Sequence, residues 1–261
     1  MAIHDISKIE RCTVALYREK CGEYRQIGSG VLISFQENYY LISAFHVFDM
    51  EEEQIQIEND PEEKGIPQDD LDGIMAKGAS TFFYVNDHSK GLALSVYYDG
   101  KNGRPVFNED TEWCVCELSN EMVQCFIDAG KSFYAVSEIA YAEIKSDSTI
   151  IISGYPKYAQ KKNQEEYRSF YCETLDYDET LNGSELFRVK FYNKKAYSVE
   201  NKSYIQLPNY GIAGMSGGGI WYEKNNRYIP IGIILKQDPN ENYVEGYRID
   251  EILKNYIKWN I

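Results

Sequence analysis

Two features of this sequence could do chemistry: a serine set among glycines and a histidine closing an apolar run. The serine lies in Gly211-Ile212-Ala213-Gly214-Met215-Ser216-Gly217-Gly218-Gly219-Ile220-Trp221. Glycines permit a sharp backbone turn, so the amide hydrogens of Gly214 and Ser216 could converge on one point while the Ser216 hydroxyl projects from the same turn. Such a turn supplies a nucleophile and an oxyanion hole together. A serine hydroxyl is too weakly acidic to attack a carbonyl unaided at neutral pH, and it needs an imidazole to take its proton. His46, in Tyr40-Leu41-Ile42-Ser43-Ala44-Phe45-His46-Val47, is the candidate base. Taken singly, each feature has a plain structural explanation, an incidental serine in a turn or a packed core histidine. Their occurrence together carries the functional reading.

Strands must hold these residues in place. Alternating apolar and β-branched runs between turn signals predict strands at 12–17, 30–35, 39–43, 81–85, 92–98 and 113–118. In the second half the same pattern predicts 133–140, 149–154, 170–175, 186–192, 203–207, 218–222 and 228–235. Adjacent asparagines in Glu223-Lys224-Asn225-Asn226-Arg227 mark a tight hairpin between the last two. A boundary near residues 126–132 splits the strands about evenly, giving units 1–128 and 129–245. Residues 49–72 read as an acidic surface insertion in the first unit. Ile249, Ile252, Leu253, Tyr256 and Ile257 share one helical face, which predicts a C-terminal helix within 246–261, packed on the second unit.

The composition excludes several classes. With 261 residues the chain can bury one large core or two small ones, and 23 tyrosines suit half-buried strands. A net charge of -14 opposes a phosphate backbone, so nucleic acid is not expected as a partner. No basic head with an apolar core opens the chain and no apolar run is long enough to span a bilayer, which reads as soluble and cytoplasmic with no membrane association. The six cysteines are dispersed and expected to be reduced; Cys114 and Cys116 lack further ligands for zinc. His4, His46 and His88 are too scattered to complete a metal site. Neither metal nor organic cofactor is expected.

The stretches Gly28-Ser29-Gly30-Val31-Leu32-Ile33, Leu41-Ile42-Ser43-Ala44-Phe45-His46-Val47 and Gly214-Met215-Ser216-Gly217-Gly218 together resemble the trypsin-like, chymotrypsin-fold serine peptidases. Bacterial members are closer than secreted digestive enzymes. Gly154-Tyr155-Pro156 and Ile231-Gly232-Ile233-Ile234 fit the same order. The resemblance implies an all-β chain of two antiparallel six-stranded barrels with a cleft between them. It further implies a serine protease acting on protein or peptide substrates: Ser216 as nucleophile, His46 as base, Gly214 and Ser216 as oxyanion amides. The acid departs from the family pattern. Glu112 stands where an Asp is usual, before Trp113-Cys114-Val115-Cys116, and is preferred because the strand aligns without a gap; Asp110 stays open.

By the same alignment Tyr210, Gly211, Ile234 and Leu235 would line the substrate pocket, and no carboxylate there selects Arg or Lys. Met215 occupies a position where secreted relatives carry Asp to pair with a newly cut amine, so N-terminal processing is not expected to activate this chain. The competing reading is a catalytically inactive relative that binds peptide or a partner protein. A regulatory protein partner is compatible with either reading. A second alternative, an esterase-type hydrolase, is disfavoured because the strand-elbow-helix setting is missing, Ile220 and Trp221 continuing as a strand.

Overall fold

β-branched and aromatic residues make most of the described chain strand, and the computed structural model gathers these strands into two sheets. It describes residues 6–20, 23–48, 81–85, 92–96, 106–135, 149–156, 171–177, 186–190, 195–198, 203–206, 212–224, 227–238 and 243–259. The acidic segment 49–72 and the turn residues Asn225 and Asn226 lie outside these, although Lys224 does pair with Arg227 across the hairpin.

The first sheet comprises β1 (Thr13–Lys20), β2 (Glu23–Phe35), β3 (Asn38–Ala44), β4 (Thr81–Val85), β5 (Leu92–Val96), β6 (Val106–Asn108), β7 (Trp113–Glu117) and β8 (Tyr134–Ala135). Its order is β5-β4-β1-β2-β3-β7-β6, all antiparallel, and β8 joins β2 in parallel at Ile33 and Ser34. The second comprises β9 (Thr149–Gly154), β10 (Tyr171–Tyr177), β11 (Leu186–Lys190), β12 (Lys195–Ser198), β13 (Ser203–Gln206), β14 (Gly219–Lys224), β15 (Arg227–Asp238) and β16 (Tyr243–Arg248). Its order is β11-β16-β15-β14-β9-β10-β12-β13, and a further pairing of Asp176 with Lys190 and Tyr177 with Val189 joins β10 to β11. The expected pair of six-stranded antiparallel barrels is therefore seen as two eight-stranded sheets, one of them carrying a parallel pair.

That parallel pair arises because α2 (Asn120–Asp128) turns the chain back along β2. The strand pattern did not foresee this helix, nor the short α1 (Ser7–Arg11). Ser119 caps α2, its Oγ accepting the Met122 N–H at 3.3 Å, and Val123 and Phe126 are buried beneath it. At the far end, α3 (Ile249–Trp259) is the expected helix, and Ile252, Leu253 and Tyr256 are buried. It touches both sheets rather than the second alone. The Tyr256 ring lies edge-on to Tyr40 with centroids 5.4 Å apart, and its hydroxyl donates to Glu117 Oε2 at 3.1 Å.

The core runs through both sheets. Val31, Leu32, Ile33, Leu41 and Ile42 meet Trp113 to Cys116 in the first. Each fully buried aliphatic side chain of this kind contributes about 1.5–3 kcal/mol. Cys114 and Cys116 share one face of β7 with sulfurs 3.9 Å apart, and burial pushes the Cys114 thiol up. Cys12, Cys114, Cys116 and Cys125 are free thiols. Tyr134 of β8 meets Trp221 of β14 edge-on at 6.0 Å, joining the two sheets through aromatic packing. No helix among the described residues is long and apolar enough to cross a membrane.

Candidate active site

β3 ends at buried Ala44, and the chain folds into one 3-10 turn, Phe45–Val47, closed by the Phe48 N–H donating to the Phe45 carbonyl at 2.8 Å. Val47 points inward and is buried, which leaves the His46 side chain 35% exposed and within reach of solvent. Ala44 opposes Trp113, so the entry to β7 lies beside this turn. Here Glu112 takes a left-handed backbone conformation, φ 60°, which costs a non-glycine residue about 1–2 kcal/mol. Two hydrogen bonds hold it there: its carbonyl accepts the Phe45 N–H at 2.9 Å, and its Oε2 lies 2.9 Å from His46 Nδ1.

A carboxylate only accepts, so Nδ1 carries the hydrogen and Nε2 keeps its lone pair for another proton. The pair is too exposed to add much stability, and its effect is to fix the ring and its tautomer. Asp110, the other candidate, is exposed in the turn where Asn108 Oδ1 accepts the Thr111 N–H at 3.0 Å. Among the described residues the carboxylate bonded to His46 is Glu112.

Ser216 is the second residue of the latter of two successive tight turns that share Met215. The Met215 N–H donates to the Ile212 carbonyl and the Gly218 N–H to the Met215 carbonyl, both at 2.8 Å. Gly214 (φ 91°) and Gly217 (φ 79°) fill the third positions, where a type II turn requires positive φ. Neither turn bond uses the Gly214 or Ser216 amide.

One strand of each sheet clamps this segment. From β2, the Ser29 N–H donates to the Ser216 carbonyl at 2.8 Å. From β15, the Ile234 carbonyl accepts the Gly217 N–H at 2.7 Å and the Ile234 N–H donates to Gly218 at 2.8 Å. The fit at Gly217 excludes any side chain, since a Cβ would stand 2.0 Å from Ser43 Oγ and 2.2 Å from the Ser29 oxygen. At Gly28 a Cβ would meet Val47 Cγ2 at 2.6 Å and the Ser216 oxygen at 3.0 Å. The residue after His46 and the Ser216 carbonyl thus converge on one glycine. His46 and Ser216 share no hydrogen bond with each other.

Of the pocket candidates, Tyr210 and Gly211 lie outside the described residues, as do His4 and His88. Ile234 and Leu235 are buried. Ile234 serves the turn through its main chain, and Leu235 is the extra residue where β15 bulges, Ile234 opposing Gly246 and Lys236 opposing Glu245. Among the described residues no cluster of three His, Cys, Asp or Glu side chains is arranged to hold a metal.

Sequence reasoning missed the polar side chains behind the turn. Ser43 Oγ donates to the Ser29 carbonyl at 2.7 Å, and Ser29 Oγ donates to the Gly214 carbonyl at 3.2 Å. The available signal was a hydroxyl placed among apolar strand residues, where it is buried only if bonded.

No protein-family model matches the chain, and no curated protein matches it in sequence. Among solved structures it is similar to a thermostable serine protease, AL20, from an extremophilic microorganism. The TM-score is 0.50 and the identity 13%, over 94% of this chain and 95% of that one. It is also similar to the VesB protease of Vibrio cholerae, with a TM-score of 0.51 and 13% identity, over 95% of this chain and 63% of that one. At this identity the likeness is one of fold. The two antiparallel sheets and C-terminal helix follow the chymotrypsin-like architecture of these proteases.

Proposed function

We propose that this chain is a serine endopeptidase on the chymotrypsin plan. The observation that carries the reading is the His46 Nδ1 to Glu112 Oε2 bond of 2.9 Å, on a turn whose Val47 flanks the same glycine, Gly28, as the Ser216 carbonyl. Ser216 Oγ attacks the carbonyl carbon of a protein or peptide substrate while His46 Nε2 takes its proton, and Glu112 stabilises the imidazolium. The oxyanion accepts from the Gly214 and Ser216 amides, whose loss one at a time costs about 10²–10³ in rate in sites of this kind. Collapse expels the amine with the proton from His46 and leaves an ester on Ser216. Water, deprotonated by His46, then releases the acid and restores the serine.

The test is labelling of the folded protein with a fluorophosphonate, followed by mass mapping, in wild type, Ser216→Ala and His46→Ala. One adduct on Ser216 that depends on His46 is expected. A folded wild-type chain that takes no label at Ser216 would defeat the reading and favour a binding module without turnover.

A further inference from the structure

Gly214, at φ 91°, has no Cβ to restrict rotation about its backbone. Its carbonyl is nevertheless held by two side chains of β2. Ser29 Oγ donates to it at 3.2 Å and Gln26 Nε2 at 3.4 Å. Both side chains are buried. The Tyr155 N–H also donates to Ser29 Oγ, at 3.0 Å. An amide N–H can only donate and a carbonyl can only accept, so the hydroxyl hydrogen is directed to Gly214. Gln26 Nε2 donates to the Tyr155 carbonyl as well.

Residues three apart on a regular strand face opposite ways. Here Leu16 opposes Gly28 and Tyr17 opposes Gln26, so Ile27 is an extra residue in β2. That bulge brings Gln26 to the same face as Ser29, a recurrent use of bulges beside functional sites. The Met215 side chain, between Gly214 and Ser216, is buried and apolar and adds no polar anchor to the main-chain turn bonds.

We propose that the Ser29 hydroxyl, assisted by the Gln26 amide, is a positioning group that latches the Gly214–Ser216 turn in its working shape from the first sheet. The role rests on the peptidase reading above. The latch is complete within the folded chain and needs no cleavage to set it. Removing the hydroxyl frees the peptide that joins Gly214 to Met215; the turn then relaxes about the Gly214 Cα and carries the neighbouring Gly214 N–H away from the point shared with the Ser216 amide, while His46 and Glu112 stay in place.

Two measurements on full-length wild type, Ser29→Ala and the near-isosteric Gln26→Met test it. The first is backbone amide exchange, read by mass spectrometry, over the turn and over β7 and α3 as internal controls. The second is the pH profile of the Ser216 labelling rate with a fluorophosphonate. Ser29→Ala is expected to speed exchange at Met215 and Gly218 while β7 and α3 hold. Labelling is expected to fall by about 10²-fold at every pH, the scale set by misplacing a reacting group by about 1 Å, with the midpoint of the acid limb unmoved. Gln26→Met, which loses the longer bond, is expected to show both effects more weakly. Unchanged turn exchange in both variants overturns the latch. A loosened turn that labels at the wild-type rate overturns its tie to catalysis, and a shifted acid limb overturns it too by tracing the loss to His46. If wild type takes no label, the peptidase reading falls, and exchange alone still decides whether Ser29 holds the turn.

Discussion

Lys131, in the link between α2 and β8, is 8% exposed and points its ammonium into the seam between the sheets. Its Nζ donates to the carbonyls of Glu10 at 3.1 Å and Thr13 at 2.8 Å and to the Tyr155 hydroxyl at 3.2 Å. Burial lowers its pKa from 10.5 to about 8, against a smaller opposing pull from Glu10 and Cys12. The folded chain therefore sheds this proton near pH 8 and the unfolded chain only near 10.5, so the unfolded state holds more protons in between. Stability from this group must rise with pH across that window and stay flat below it, by about 3 kcal/mol in all. Lys131→Met removes the titration together with three donated hydrogen bonds, whose loss is a constant offset. Urea unfolding of both proteins, followed by tryptophan fluorescence on either side of the window, isolates the slope, because other titrating groups cancel in the difference. The advantage of wild type over Lys131→Met should grow as pH rises. A difference that stays flat would refute the reasoning and mean that the seam solvates the ammonium fully.

Other perturbations follow from the site. Glu112→Gln can present its amide hydrogens to His46 Nδ1 and stabilise the wrong tautomer, so the labelling rate at Ser216 should fall on the order of 10⁴-fold; a near-normal rate would remove Glu112 from the mechanism. Gly217→Ala combines a positive φ with overlap on the Ser29 carbonyl, and thermal unfolding should report a loss of about 2–4 kcal/mol together with loss of labelling. Ser119→Ala should weaken α2 by about 1 kcal/mol, seen as faster amide exchange confined to its first turn.

Elements whose identity lies in their own residues were legible in the sequence. The run Thr149–Gly154 was bounded correctly at both ends because its isoleucines need no partner to declare a buried strand. The Ser216 turn was legible for the same reason, its glycines being a local requirement. β16 was not, because Glu245 and Gly246 break its pattern. Glu245 is buried there by bonds to Arg188 from β11 at 3.0 Å and Lys236 from β15 at 3.1 Å, compensation that exists only once three strands are adjacent. α2 escaped because a nine-residue helix burying Val123 and Phe126 carries too little periodicity to outweigh its strand-rich surroundings. The site divides the same way. His46 and Ser216 announced themselves by type and setting, and the order of Glu112 and Asp110 was argued from alignment. Ser29 showed only as a hydroxyl among apolar strand residues and Gln26 not at all, since their shared effect depends on a bulge at Ile27 and on a carbonyl far along the chain.

The backbone at Glu112 constrains how this position can change. A left-handed residue before a strand carries its Cα off the path a regular strand would follow, and the extra methylene of glutamate spans that offset to reach His46. At this backbone an aspartate suits the positive φ but is one methylene shorter than the glutamate that reaches His46. Exchange between the two acids here takes a coordinated change in the loop rather than a single substitution.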